Sequence, residues 1–119
     1  NTPLQALTIW NDPAFFDAAQ LLGRRVVAEV PMETSPQETA KLRSERAFLL
    51  CLGRRPSAVE MSDVFALYKA SRELTDKDED AAKKLAGEPL PTSDSLSEVA
   101  AWVSVGRAIL NLDEFITKE

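Results

Sequence analysis

Residues 57–68 read Ser57-Ala58-Val59-Glu60-Met61-Ser62-Asp63-Val64-Phe65-Ala66-Leu67-Tyr68, and two signals in them decide the fold class. Ser57 is followed three residues later by Glu60. A serine in that place accepts from the backbone N–H of the third helical residue, and the glutamate reaches back to the serine's own N–H. Behind this start, Met61, Val64, Phe65 and Tyr68 fall at i, i+3, i+4 and i+7, which is one face of an α-helix. The pattern predicts a helix over about 57–74.

The same hydroxyl–carboxylate (or amide) spacing recurs at Thr2-Pro3-Leu4-Gln5, Ser35-Pro36-Gln37-Glu38 and Ser95-Leu96-Ser97-Glu98. Pro3 and Pro36 take the first helical position, where a missing N–H costs nothing. Asn11-Asp12-Pro13 is a fifth start, with Asp12 as its cap. Helices are therefore expected over about 3–10, 13–29, 36–52, 76–86 and 96–112 as well. Phe15, Ala18, Ala19, Leu22 and Val26 form the stripe of the second, and Gly53 ends the third. Val99, Trp102, Val103, Gly106 and Leu110 form the inward face of the last. The helix over about 76–86 is polar, ends at Gly87, and carries Glu79/Lys83 and Asp80/Lys84 in the favourable i, i+4 order. It is either separate from its predecessor or continuous with it through a kink. Residues 30–34 form a short connector and 87–95 the one long loop. Leu22-Gly23-Arg24-Arg25 returns as Leu52-Gly53-Arg54-Arg55, but the flanks differ and the recurrence is read as coincidence. No stretch alternates with period two, so no sheet is expected.

These elements predict an all-α fold, a small antiparallel bundle of five to six helices with Trp102, Phe48, Phe65 and Phe15 in its core. The 119 residues suit a single helical domain over 1–119. A chain of that size buries about two thirds of its unfolded surface and holds together without metal or disulfide. The chain opens at Asn1 without an initiator Met and reads as a piece of a longer protein.

Composition excludes more than it assigns. Charged residues make up 28% and apolar ones 45%, the balance of a folded domain. The longest apolar runs, such as Phe48–Leu52, fall far short of the roughly 20 residues of a spanning helix, so no membrane insertion is expected. There is no histidine, which removes imidazole base catalysis, Ser/His and Cys/His nucleophile pairs, and His-ligated metal or haem. Cys51 is alone, so there is no internal disulfide and no thiolate zinc cluster. No cofactor is expected. The net charge of −5 is uneven: residues 1–56 carry seven basic and six acidic groups, residues 57–119 seven basic and thirteen acidic. An acidic domain repels phosphate backbones, so nucleic acid is not an expected partner.

One resemblance covers nearly the whole chain. Its carriers are Asn1-Thr2-Pro3-Leu4-Gln5-Ala6-Leu7 with Asn11-Asp12-Pro13-Ala14-Phe15, then Leu52-Gly53-Arg54-Arg55-Pro56, Trp102, and the ending Leu110-Asn111-Leu112-Asp113-Glu114-Phe115. In this order they resemble the C-terminal part of a planctomycete-type domain of unknown function. That domain lies at the end of large secreted or periplasmic proteins, in which a cytochrome c segment often comes earlier. The resemblance implies an exported parent, a periplasmic or extracellular location, and a chain that is the final helical portion of a larger domain. It implies no activity. The haem-attaching Cys-x-x-Cys-His is absent here, so any haem would belong to another part of the parent.

The candidate interaction surface comprises Asn1, Gln5, Trp10, Asn11, Asp12, Arg54, Arg55, Asp113 and Glu114. Thr2 and Asp12 serve as caps and Asn11 as a turn former. Alternatively, Asn1, Gln5, Asn11 and Asp12 line a surface against the parent or a ligand. Trp10 is either core or part of an exposed apolar patch. Asn111, Asp113 and Glu114 end the last helix, where carboxylates oppose the dipole and call for a cationic partner. Arg54 and Arg55 can supply that partner, or hold an anion by forked donation. Cys51 sits in an apolar turn and reads as a buried, inert thiol.

Three functions are compatible with this pattern. The first is a non-catalytic structural or protein-interaction module that docks on the upstream domains of its parent or on a protein partner. The second is one wall of an enzyme site completed by the upstream region, with no activity in this chain alone. The third is a docking module for electron transfer, its acidic half meeting a basic redox partner or the parent's cytochrome segment.

Overall fold

The computed structural model describes residues 13–32, 35–87 and 96–112, with the side chains of residues 13–15 excepted. The expected helix over about 3–10, the caps at Thr2, Asp12 and Ser95, most of the loop 87–95, and the core place of Phe15 lie outside the described residues. Within them the chain is all-helical and holds no strand. The helices are α1 (Pro13–Glu29), α2 (Pro36–Leu52), α3 (Ala58–Lys77), α4 (Glu79–Ala86) and α5 (Leu96–Leu110).

Local chemistry sets the ends of these helices. At α2 the Ser35 hydroxyl accepts from the Glu38 N–H at 3.2 Å, and Pro36 begins the helix. Gly53 closes it at φ 72°, its N–H donating to the Leu49 carbonyl. At α3 the reciprocal box forms in full: the Glu60 N–H donates to the Ser57 hydroxyl at 3.2 Å and the Ser57 N–H to the Glu60 carboxylate at 2.8 Å. Two orphan donors are thus satisfied together. Replacing Ser57 by alanine is expected to cost about 1 kcal/mol, read as a lower urea midpoint with an unchanged slope.

The helix expected to stop near residue 74 runs on to Lys77; in its last turns Thr75 is buried and turns its hydroxyl to the Ser71 carbonyl at 2.8 Å. Asp78 then leaves helical geometry, at φ −136° and ψ 94°, and its carboxylate caps α4 by accepting from the Ala81 N–H at 3.1 Å. α3 and α4 are therefore separate helices. The expected Lys83–Glu79 pair forms at 3.9 Å. At the other end of α4, Gln20 donates to the Lys84 and Leu85 carbonyls and Arg24 to that of Ala86, so two side chains of α1 satisfy the last carbonyls of a distant helix.

α5 is the hub. Glu98, Val99, Ala100, Ala101, Trp102, Val103, Val105, Gly106, Ile109 and Leu110 are all buried, covering nearly the whole circumference of the helix. A helix apolar all round needs neighbours on every side. α1, α3 and α4 provide most of that cover. From α1 come Ala19, Leu22, Val26 and Val27. Of the expected core, Trp102 and Phe48 are buried, whereas Phe65 is only partly so. On the stripe expected for α1, Ala18 is exposed, since α2 approaches that side only loosely. On the stripe expected for α3, Val64 alone is fully buried, with Met61, Phe65 and Tyr68 at the margin. The inward face expected for α5 holds throughout, although the helix ends at Leu110 and not at residue 112.

Candidate functional site

The densest polar arrangement lies where α2, α3 and α5 meet. Glu98 stands on the first turn of α5 with its side chain 3% exposed. Its Oε2 accepts from Arg43 Nη1 of α2 at 2.6 Å and from Trp102 Nε1 at 2.9 Å. Its Oε1 accepts from the Tyr68 hydroxyl and from Arg72 Nη1 of α3, each at 2.5 Å. Among the described residues, one carboxylate thus gathers four donors from three helices. The Trp102 and Tyr68 rings lie side by side, 5.1 Å between centroids.

Arg43 is wholly buried and has a second task. Its Nε donates to the Val30 carbonyl at 2.9 Å and its Nη2 to that of Val27 at 3.4 Å. These are orphan carbonyls at the end of α1, where a cation also suits the dipole. Arg72 is at the edge, its side chain 32% exposed, with Asp76 of its own helix 3.6 Å away.

Burial alone would raise the Glu98 carboxyl. Donation from Tyr68 and Trp102, with the charges of Arg43 and Arg72, outweighs it and holds Glu98 below the usual carboxylate value. Burial and the adjacent Glu98 carboxylate push the Tyr68 phenol up to about 12. Tyr68 is therefore a fixed donor at neutral pH and not a base. The arrangement can lock three helices together, although the buried Arg72 Nε has no hydrogen-bond partner among the described residues.

Of the candidate interaction surface, only Arg54 and Arg55 are described; Asn1, Gln5, Trp10, Asn11, Asp12, Asp113 and Glu114 lie outside. Arg54 makes a forked pair with Glu60, both bonds at 2.8 Å, and its guanidinium lies 5.5 Å from the centre of the Phe48 ring. Donation from Arg54 and from the Ser57 N–H brings the Glu60 carboxyl down to about 2. The forked donation expected of Arg54 thus goes to the capping glutamate of α3. Arg55 is exposed and lends its carbonyl to Arg54.

Cys51 is half-buried in a cleft of about 220 Å³ between α1 and α2, beside Leu21, Leu22 and Leu50. Burial pushes its thiol up to about 11. Alkylation of the folded chain by iodoacetamide at pH 8 should therefore run about 100-fold slower than in urea, where an ordinary thiol pKa returns.

Sequence reading missed the Glu98 cluster, although two signals marked it. Glu98 is the lone carboxylate of a mostly apolar helix, at its head and four residues before Trp102. Arg43 lies on the buried stripe of α2, with Ala40, Ser44 and Ala47. A charge on a buried stripe demands a partner from another element.

Among the described residues no group of His, Cys, Asp and Glu is placed to hold a metal ion, and no helix is long and apolar enough to cross a membrane. No curated protein and no solved structure matches the chain. The family model described as PSD1, a protein of unknown function (DUF1553), matches residues 1–68, which span α1, α2 and the Ser57–Glu60 box and stop at Tyr68. The ending motif at 110–115 falls beyond that match. By this match over more than half of its length, the chain belongs to the PSD1 family of proteins of unknown function (DUF1553).

Proposed function

We propose that the chain is a non-catalytic structural or protein-interaction module of a larger exported protein, docking on upstream domains of its parent. The observation that carries this reading is the seam between α1 and α2. Leu21 is 63% and Leu49 49% exposed, beside the half-buried Leu50 and Cys51, and Met32 follows α1 at 56%. Exposed leucines grouped around open clefts mark surfaces that another body covers. The Glu98 cluster supports the same reading, because its ionisable side chains hold one another and leave no poised acid or base. The short links between helices favour an antiparallel arrangement, with residues 1–119 as the helical end of a larger domain. Planctomycete origin, an accompanying cytochrome c segment and a periplasmic or extracellular location belong to this proposal through the sequence resemblance alone.

The test mixes the chain with the separately produced upstream part of its parent and follows association by size-exclusion chromatography. Leu21→Glu and Leu49→Glu together should abolish co-elution while leaving the thermal midpoint of the free chain within a few degrees. Undiminished association of that variant, or none with the native chain, overturns the reading.

A second reading draws on the exposed acidic run Asp76, Asp78, Glu79 and Asp80 at the α3–α4 corner. A basic redox partner would be steered there, and association would weaken steeply with salt.

A further inference from the structure

We propose that the Glu98 cluster is an acid-sensitive latch for α3, so that protonation of this one carboxylate frees α3 while α1 and α5 stay packed. The inference begins from how little of α3 is fully buried: beside Val64, its apolar contact comes from the partly buried Phe65, Leu67 and Tyr68. Of its twenty residues only Val64, Ser71 and Thr75 are buried, and two of those are hydroxyl-bearing. Val59 and Leu74 are each 70% exposed. α1, by contrast, seats Ala19, Leu22, Val26 and Val27 against α5. The attachment of α3 to α5 therefore draws strongly on polar ties, and the short ones between these two helices converge on Glu98: the Tyr68 hydroxyl and the Arg72 guanidinium. The other side-chain tie from α3 to α5 among the described residues, from the Thr75 hydroxyl to the Ser97 carbonyl, is 3.5 Å long, and the Glu60–Arg54 pair holds only the N-terminal end of α3 to its own turn.

The two sides of the carboxylate respond differently to protonation. On the Oε2 side Arg43 keeps the Val27 and Val30 carbonyls, so α2 stays fastened to the end of α1. On the Oε1 side Arg72 faces a neutral acid, and its other carboxylate, Asp76, is on its own helix. Among the described residues, the charged and titratable groups facing Glu98 are Arg43 from α2 and Tyr68 and Arg72 from α3, with Asp76 one turn beyond. Protonation removes the charge that Arg43 and Arg72 share at the joint and leaves Arg72 with Asp76 of its own helix, which ties it to nothing outside α3. Freed, α3 uncovers Trp102 and the floor of the joint, a surface that exists only in acid.

The sign follows from the folded state favouring ionised Glu98. That contribution is present above the ordinary value of 4.5 and fades as pH falls below it. Hydrogen exchange of the whole chain, resolved by segment and corrected for intrinsic rates, is the test. Below pH 4.5, α3 amides should lose protection at least about tenfold while α1 and α5 keep theirs. Glu98→Gln should show an unprotected α3 already at pH 7, flat across that range. Should that variant fail to fold, Tyr68→Phe with Arg72→Gln removes only the α3 side of the latch. It should free α3 at pH 7 and leave α1 and α5 protected. Simultaneous loss of protection in all helices on acidification overturns the latch, as does full α3 protection in the Tyr68→Phe, Arg72→Gln chain.

Discussion

Glu98→Ala is expected to lower stability by about 3–5 kcal/mol, a large part of what a domain of this size possesses. The expected loss comes less from the bonds themselves than from what they leave behind. Arg43 is wholly buried, and its Nη1 would point at an empty place where Glu98 Oε2 had stood, 2.6 Å away. Removing one member of a buried ion pair is far costlier than replacing both. The Trp102 indole N–H and the Tyr68 hydroxyl would lose their acceptor too. The measurement is a urea titration at neutral pH, read as a lower midpoint. Two companions separate the causes. Tyr68→Phe removes a donor and strands no charge, so it should cost nearer 1 kcal/mol. Arg43→Met combined with Glu98→Leu removes both buried charges and should be far milder than Glu98→Ala. The gap between native chain and Glu98→Ala should also narrow below pH 4.5, since protonation does in the native chain part of what the substitution does.

What was legible in the sequence was what neighbours along the chain decide. The bounds of α1 and α2 follow from Pro13, Ser35, Pro36 and Gly53, each acting within a few residues of itself. The same holds for Glu60, which was read as a capping partner and is one. Glu98 had the same local signature with Ser95, and that reading concealed its larger role. Its donors Arg43, Tyr68 and Trp102 are 55, 30 and 4 residues away, and only the last distance falls within a helical period. Long-range pairing depends on which helices become neighbours, and a stripe of apolar residues names a face without naming what covers it. Arg54 was expected to meet Asp113 or Glu114, which lie outside the described residues; among the described ones its guanidinium forks onto Glu60, held beside it by the turn between α2 and α3. Most of the candidate interaction surface, from Asn1 to Asp12 and at Asp113 and Glu114, lies outside the described residues, so its reading rests on sequence alone.

The tetrapeptide Leu-Gly-Arg-Arg occurs twice, and its two glycines should answer to substitution for opposite reasons. Gly23 lies inside α1 against the hub helix. A Cβ there would meet the backbone N of Val103 at 2.7 Å and its Cα at 2.8 Å. Those atoms belong to a helix that is buried on nearly every side, so no side-chain rotation relieves the clash. α1 and α5 must move apart, and the contacts of Leu22 and Val26 loosen with them. Gly23→Ala is expected to cost about 3 kcal/mol despite alanine's better helix propensity, and Gly23→Val more. Gly53 follows α2 at φ 72° with nothing within 4 Å of a Cβ. Alanine there meets no neighbour, only the intrinsic penalty of left-handed backbone, about 1 kcal/mol. Thermal unfolding of the two alanine variants, made side by side, measures the difference. Gly23→Ala should also weaken the protection of α1 amides, whereas Gly53→Ala should fray only the last turn of α2. Equal costs for the two would mean that α1 and α5 do not approach as closely as Gly23 and Val103 indicate. The closeness of these two helices would then no longer account for the burial of α5.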